Sequence, residues 1–258
     1  MDTKELLGLH DRQQRIDIVY RNMRREATPE VVRHVALKHG DGIVLYSHLT
    51  AADADRIIAE QIAYFEQIGQ SFEWKTYDHD TPGDLKDRLL AHGFAAEEPE
   101  ALLALDIETA PVSLLRPVTH DVRRIVDPDR LDDVRHILET VWNEPHPWLI
   151  PMLSDDLIDD PDHLSVYIAY ADDQPVSAAW ITFHDHSQFA GLWGGATLAA
   201  YRGRGLYTAL LAVRLQEARQ RGVRFLTIDA SPMSRPIVEK RGFQFLTTTQ
   251  PFKWTAKK

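Results

Sequence analysis

"AYRGRGLYTAL" (residues 200–210) packs two glycines and two arginines into one short turn and then runs into an apolar, helix-forming stretch. The first N–H groups of a helix have no partners within it, and the macrodipole gives them about half a positive charge. Gly203 and Gly205 let such a backbone adopt positive φ and approach an anion closely, while Arg202 and Arg204 add charge-assisted donors. Three readings compete: a dinucleotide site, a phosphate cradle of another kind, and a tight turn with two solvated arginines. A dinucleotide fingerprint needs G-x-G-x-x-G, and here Thr208 stands where the third glycine belongs. Asp229 does end the next strand, where a ribose-binding acid is wanted. Only residues 230–258 follow it, too few for the further strand–helix units of such a domain. A Walker loop is excluded, since no Gly-Lys-Ser/Thr follows.

Working outward, "QFAGLWGGATLA" reads as the strand before the loop and Arg202 to Gln220 as a helix closed by Gly222. "VRFLTIDA" is the next strand and "PMSRPIVEKRGF" a short helix ending at Gly242. Upstream, "HLSVYIAY" and "PVSAAWITF" alternate as strands around the turn "ADDQ". The first half runs through the same order. "GIVLYSHL" is a strand, and "TAADADRIIAEQIAYFEQIG" a helix with the stripe Ile57, Ile58, Ile62, Phe65 and Ile68. "SFEWKTY" is a strand, and "TPGDLKDRLLAHGF" a short helix ending at Gly93. Gly93-Phe94 matches Gly242-Phe243, and a strand candidate follows each, "ALLALDI" and "FKW". Ahead of the repeat lie a charged helical stretch and "TPEVVRHVALKHG", predicted as a helix capped by Thr28, with Pro29 at its first position and Gly40 closing it. A repeat this long suggests a duplicated domain joined in "IETAPVSLLRP", giving domains 1–112 and 113–258. Where "YRGRGLY" should recur, "SHLTAADADRI" has no glycine and carries Asp53 and Asp55. The first domain therefore reads as a degenerate copy without an anion loop.

Composition narrows the function. A length of 258 residues with 44% apolar content suits two ordinary domains. A net charge of -10 argues against a nucleic-acid binder. Cysteine is absent, which removes disulfides, thiolate metal sites and a cysteine-linked covalent intermediate. The first residues are charged throughout and no apolar run approaches the roughly 20 residues of a membrane span, so a soluble cytoplasmic protein is expected. His184 and His186 have metal-ligand spacing but no evident third ligand, and no metal is expected.

Arg202-Gly203-Arg204-Gly205-Leu206 resembles the [QR]-x-x-G-x-[GA] signature of the GNAT superfamily of N-acetyltransferases. The preceding strand, the long helix and the Gly-Phe helix resemble that family too, over residues 115–258. The resemblance implies an α/β (α+β) fold of two domains, each a mixed, mostly antiparallel sheet flanked by helices. It implies acetyl-coenzyme A as co-substrate, held through Ala196, Thr197, Leu198, Arg202, Gly203, Arg204, Gly205, Leu206 and Tyr207. It also implies direct acetyl transfer to a primary amine of a small-molecule or peptide acceptor, by a monomer or homodimer. In this family a backbone N–H of the strand before the loop meets the acyl oxygen, here around Ala196 to Leu198. Candidate bases are Asp229, which is also placed to cap the helix at 232–241, and Glu144; candidate acids are Ser231, Ser234 and Tyr207. The chain departs from the family at three positions. Tyr207 replaces a small residue, Val238 stands where a tyrosine general acid is common, and Ser231 replaces an asparagine. The acidic stretch "SDDLIDDPDHL" is either a solvated loop or a wall that draws a polyamine, aminoglycoside or lysine side chain. Trp142, Trp148 and Trp193 are either core residues or its apolar lining. A non-catalytic acyl-coenzyme A sensor and an NAD-dependent oxidoreductase are the alternatives.

Overall fold

The computed structural model describes residues 1–38 and 40–256. In chain order the elements are α1 (Thr3–His10), β1 (Met23–Ala27), β2 (Val31–Ala36), β3 (Gly42–Ser47), α2 (Ala54–Gln67), β4 (Phe72–Tyr77), α3 (Leu85–Ala91), β5 (Ala95–Ala96) and β6 (Glu100–Asp106). Then come α4 (Val112–Leu115), β7 (Val122–Ile125), α5 (Leu131–Trp142), α6 (Leu149–Asp159), β8 (Leu164–Ala171), β9 (Gln174–Phe183), β10 (Phe189–Thr197), α7 (Leu206–Gln220), β11 (Phe225–Ala230), α8 (Arg235–Glu239) and β12 (Gln244–Trp254). The chain forms two compact units. The first comprises Met1–Leu103, Asp229–Glu239 and Gln244–Lys258, and the second Ala104–Ile228 with Lys240–Phe243. The expected cut at 112/113 does not follow this division, because β12 returns to the first unit. Among the described residues no helix is long and apolar enough to cross a membrane.

In the first unit the strands run β1-β2-β3-β4-β12, with β5 on β12. All these pairings are antiparallel except β3 with β4, which is parallel over Gly42–Val44 and Phe72–Trp74. The stripe of α2 seals this sheet: Ile57, Ile58 and Phe65 pack with Val31, Val44, Phe72 and Trp74, and Phe65 stacks on Phe72 at 4.2 Å. Ile68, expected on that stripe, is exposed.

The helix expected over 28–40 is a strand, with position 39 outside the described residues. "VVRHVA" is rich in β-branched residues and pairs along β1 and β3. The Thr28 hydroxyl accepts from the N–H groups of Glu30 and Val31, and Thr28 N–H donates to Val31 O. Those bonds close a hairpin turn where a helix cap was expected. The charged N-terminal stretch is helical only in part. Asp2 and Glu5 cap α1 reciprocally, and Arg15 then anchors the chain. Its guanidinium is buried, bonds the Asp80 carboxylate at 2.7 and 2.9 Å, and donates through Nε to Leu45 O at 3.1 Å.

The second unit has the order β11-β10-β9-β8-β7. Here β10 and β11 form the parallel pair, over Phe189–Gly191 and Phe225–Thr227, and the rest is antiparallel. Each unit is thus a mixed, mostly antiparallel sheet with helices on it, as the fold class requires. Alternation along β8 sorts the two faces. Leu164, Val166, Ile168 and Tyr170 pack with Leu131, Val134, Ile137 and Leu138 of α5 and Leu149, Leu153 and Leu157 of α6. Ser165 and Tyr167 point the other way, donating to Glu217 of α7 at 2.8 and 2.9 Å. The hairpin turn between β8 and β9 carries Asp172 and Asp173 at φ 51° and 59°, the left-handed geometry of a tight two-residue loop.

Burial lowers the pKa of His10 from 6.5 to about 4, against the opposing pull of Asp11 and Asp229. The unfolded chain therefore takes up this proton first, so stability present above pH 6.5 is lost as pH falls towards 4. Wild type should lose about 2–3 kcal/mol more than His10→Gln between pH 7 and pH 4.5 in urea melts. Equal losses would assign the acid sensitivity to other groups.

Candidate functional site

The site begins where β10 stops being regular. Register with β9 holds from Ala190↔Phe183 to Trp193↔Trp180 and resumes at Ala196↔Ala178, so one residue is inserted in β10. Gly194 and Gly195 absorb it at φ 82° and 41°. A Cβ on Gly194 would lie 2.3 Å from the Trp180 ring, and one on Gly195 would lie 3.1 Å from the Tyr207 ring. The bulge is pressed between aromatic rings, which leaves room for glycine at Gly194 and little more at Gly195.

Past the bulge the alternation of antiparallel bonding fixes which backbone groups are available. Leu198 N–H donates to Val176 O at 3.0 Å, so Leu198 and Val176 are a bonded pair and Ala196 faces β9 likewise. Thr197 falls between them, with its N–H and C=O turned away from β9. Its carbonyl confirms this by accepting from Arg202 Nε at 3.1 Å. The pairing of β10 with β11 runs to Gly191, short of Thr197. Of the three residues expected around the acyl oxygen, Leu198 has committed its N–H to β9, and Thr197 has its N–H turned away from that strand.

The loop itself is a single turn and then two left-handed glycines, Gly203 at φ 75° and Gly205 at φ 83°. They interrupt the helix expected from Arg202, so α7 starts at Leu206 with Gly205 as its N-cap. That cap has no side-chain hydrogen bond, which leaves the N–H groups of Leu206, Tyr207 and Thr208 uncapped at the positive end of a 15-residue helix. A Cβ at Gly203 would meet nothing within 4 Å, so the approach is open there. His120 braces the loop from the other side: its Nε2–H donates to Arg204 O at 3.0 Å. Arg204 donates to Ala200 O at 3.2 Å and lies over the Tyr201 ring.

Beneath the bulge lies a residue the sequence reading passed over. Arg214, 1% exposed, donates through Nη1 to Trp180 O at 3.0 Å and Trp193 O at 3.2 Å, and through Nε to Leu210 O at 3.0 Å. Burial pushes its pKa down to about 10, with Tyr207 and Tyr167 pulling the other way, so it is charged at neutral pH. Burial also raises the Tyr207 phenol, opposed by Arg214, and Tyr207 is neutral at pH 7. A charge at the seventh position after Tyr207, in an otherwise apolar "ALLAVRL", was the signal that this helix buries a polar face.

The remaining candidates divide between the units. Glu144 is exposed in the α5–α6 turn of the second unit, 3.6 Å from His146 Nε2. His146 is set edge-on between Trp142 and Trp148, with ring centroids at 4.9 and 6.3 Å. These two tryptophans and Trp193 are all exposed rather than core residues, and Trp193 Nε1–H donates to Thr182. Asp155, Asp156 and Asp159 of the acidic stretch lie on α6 rather than in a loop, and Asp160 follows its end.

Asp229, Ser231 and Ser234 belong to the first unit. Asp229 accepts from Lys75 Nζ at 2.7 Å and from Thr249 Oγ1 at 3.1 Å, in a nearly buried pair. Burial opposes the charge on Lys75, but Asp229, Tyr77 and Glu73 outweigh it and hold the ammonium above its usual range. The serines, rather than Asp229, serve the turn into α8. Ser231 Oγ accepts from Ser234 N–H at 3.3 Å and its carbonyl from Arg235 N–H at 2.9 Å. Val238 is buried.

Residues 131–243 match the model of the acetyltransferase (GNAT) family. Solved structures agree in fold. A GCN5-related N-acetyltransferase from Kribbella flavida superposes with a TM-score of 0.67 at 15% identity, covering 96% of this chain and 92% of that one. A tandem GNAT protein from the clavulanic acid biosynthesis pathway gives 0.59 at 11% identity over 93% and 86%. A GNAT-family acetyltransferase structure from Novosphingobium aromaticivorans gives 0.57 at 13% over 91% and 92%. No curated protein matches the chain.

Gly194→Ala should test the bulge directly. The added methyl meets Trp180 at a left-handed φ, and unfolding free energy should fall by roughly 2–4 kcal/mol in chemical denaturation. A loss below about 1 kcal/mol would mean that the strand repacks without the bulge.

Proposed function

Because residues 131–243 carry a GNAT-family acetyltransferase domain, we propose that this protein transfers an acetyl group from acetyl-coenzyme A directly to a primary amine. The observation that carries the reading is the uncapped start of α7 behind two left-handed glycines. Gly203, Gly205 and the N–H groups of Leu206, Tyr207 and Thr208 hold the coenzyme pyrophosphate, aided by the exposed arginines Arg202 and Arg204. Arg202 also ties that loop to the end of β10 through Thr197 O. The co-substrate supplies an acetyl thioester, and Thr197 N–H, turned away from β9, meets its carbonyl oxygen as charge develops there. Ala196 supplies strand backbone beside it, and Leu198 pins the strand to β9. A thiol-linked acyl-enzyme is ruled out by composition, since the chain has no cysteine.

The acceptor is a small-molecule or peptide amine, and its cationic character is favoured by the net charge of -10 and by the acidic α6. Glu144 is the candidate base for such an acceptor, because it is exposed. Asp229 is committed to Lys75, so its role is to organise the strand end in the first unit. Ser231 and Ser234 are bound into the α8 turn and remain candidates for relaying a proton. The first unit is proposed as the degenerate copy. Its parallel β3–β4 pair mirrors β10–β11, but the segment before α2 has no glycine turn.

A second reading, a non-catalytic acyl-coenzyme A sensor, is favoured by the buried Val238 and the paired Asp229. Thermal shifts with acetyl-coenzyme A, coenzyme A and NAD come first, since a ligand bound only by the folded state raises Tm. Both coenzyme A forms should raise Tm and NAD should not. Gly205→Glu should abolish the shift, because a carboxylate at the helix N-cap repels the pyrophosphate. No response to either coenzyme A form would end the acetyltransferase reading. Thiol release across a panel of amines then separates an enzyme from a sensor.

A further inference from the structure

Arg214 is a full charge placed where water does not reach it, and the hydrogen bonds it makes there explain why it is kept. A buried guanidinium costs several kcal/mol in lost hydration, and hydrogen bonds to uncharged groups repay this only in part. Among the described residues its hydrogen bonds all go to backbone carbonyls: Leu210 O within its own helix, and Trp180 O and Trp193 O across the β9–β10 pair. The two strand carbonyls lie at the last regular register before the inserted residue. An apolar side chain would fill this space at lower cost, so the charge is retained for what it holds.

What it holds is the direction of the strand beyond. With the insertion, Thr197 sits opposite Ser177, between two bonded pairs, and its amide faces away from β9. Without it, every later residue of β10 slips by one. Thr197 would then stand opposite Val176, and its amide would enter the ladder. Gly194 and Gly195 permit the bulge, and the rings of Trp180 and Tyr207 close on it from the two faces of the sheet. Among the described residues, Arg214 is the side chain that bonds the backbone at its edge on both strands.

We infer that Arg214 is a positioning residue for acyl transfer: by fixing the bulge at Gly194–Gly195 it aims the Thr197 N–H at the acyl oxygen. This rests on the proposed acetyltransferase reading and goes beyond it, because it assigns the orientation of the acyl site to a side chain that touches neither substrate. Arg214 and the coenzyme loop are separable. The loop's N–H groups belong to Leu206–Thr208 in the first turn of α7, whereas Arg214 lies in its third.

Amide hydrogen exchange, read residue by residue in the intact protein, tests it. In wild type the Thr197 amide should exchange rapidly when free, slow at least 10-fold with acetyl-coenzyme A, and change little with coenzyme A. Both ligands should slow Leu206–Thr208. In Arg214→Met, coenzyme A should still protect Leu206–Thr208, while acyl-dependent protection at Thr197 is lost. Thiol release should fall at least 10-fold in kcat with KM for acetyl-coenzyme A within about 3-fold. Arg214→Lys, whose ammonium can donate to both strand carbonyls as Nη1 does but leaves Leu210 O without the Nε bond, should recover part of kcat. If coenzyme A fails to protect Leu206–Thr208 in wild type, the acetyltransferase reading falls. If it protects them and Arg214→Met retains the Thr197 response, only the positioning role falls. Should neither variant fold, wild type decides: a Thr197 amide already slow without ligand overturns the inference.

Discussion

Three hydrogen bonds from one buried guanidinium organise the second unit's site. Arg214 reaches from α7 to Trp180 O and Trp193 O, at the edge of the bulge. Glycines allow a backbone to turn but do not hold it in one conformation. The same helix therefore does two things at once. Its first turn leaves uncapped N–H groups open to an anion, and Arg214 in its third turn bonds the adjacent strand where the register shifts. In the proposed function, coenzyme grip and acyl geometry are both built on one element, which would tie their relative placement to the packing of a single helix.

That helix packs through a polar row set among apolar side chains such as Leu210, Leu211 and Leu215. Tyr207, Arg214 and Glu217 share its inward side, and Glu217 accepts from Ser165, Tyr167 and Arg221. The opposite face of the sheet is sealed by apolar side chains of α5 and α6. An all-apolar interface tolerates sliding by a residue, whereas matched donors and acceptors do not. Specificity of register is the consequence, and a phosphate loop continuous with the helix inherits it.

Much of this was legible in the sequence because it depends on local chemistry. Gly203 and Gly205 before an apolar helix announce a helix N-terminus open to an anion. Gly93-Phe94 and Gly242-Phe243 mark the ends of two similar strand–helix runs. What was not legible depends on contacts distant in sequence. "TPEVVRHVA" has good helix-starting residues, but Val31–Ala36 finds β1 and β3 as partners and becomes a strand. Asp229 reads as a candidate base or helix cap at a strand end until Lys75, 154 positions away, is seen to pair with it. Arg214 draws no role from its sequence neighbours, because the carbonyls of Trp180 and Trp193 that it reaches lie on other strands. Departures at Tyr207 and Val238 were visible from the start, and the fold explains the first: the larger ring fills the space over Gly195.

The central claim is that the N-terminus of α7 and its glycine turn grip the pyrophosphate of coenzyme A. The most direct measurement is the phosphorus NMR spectrum of coenzyme A titrated with the protein, in which the pyrophosphate and the ribose phosphate are resolved. The account predicts that both pyrophosphate resonances shift or broaden with wild type and stay in place with Gly205→Glu. Pyrophosphate resonances unmoved by wild type, or moved equally by the variant, would contradict it.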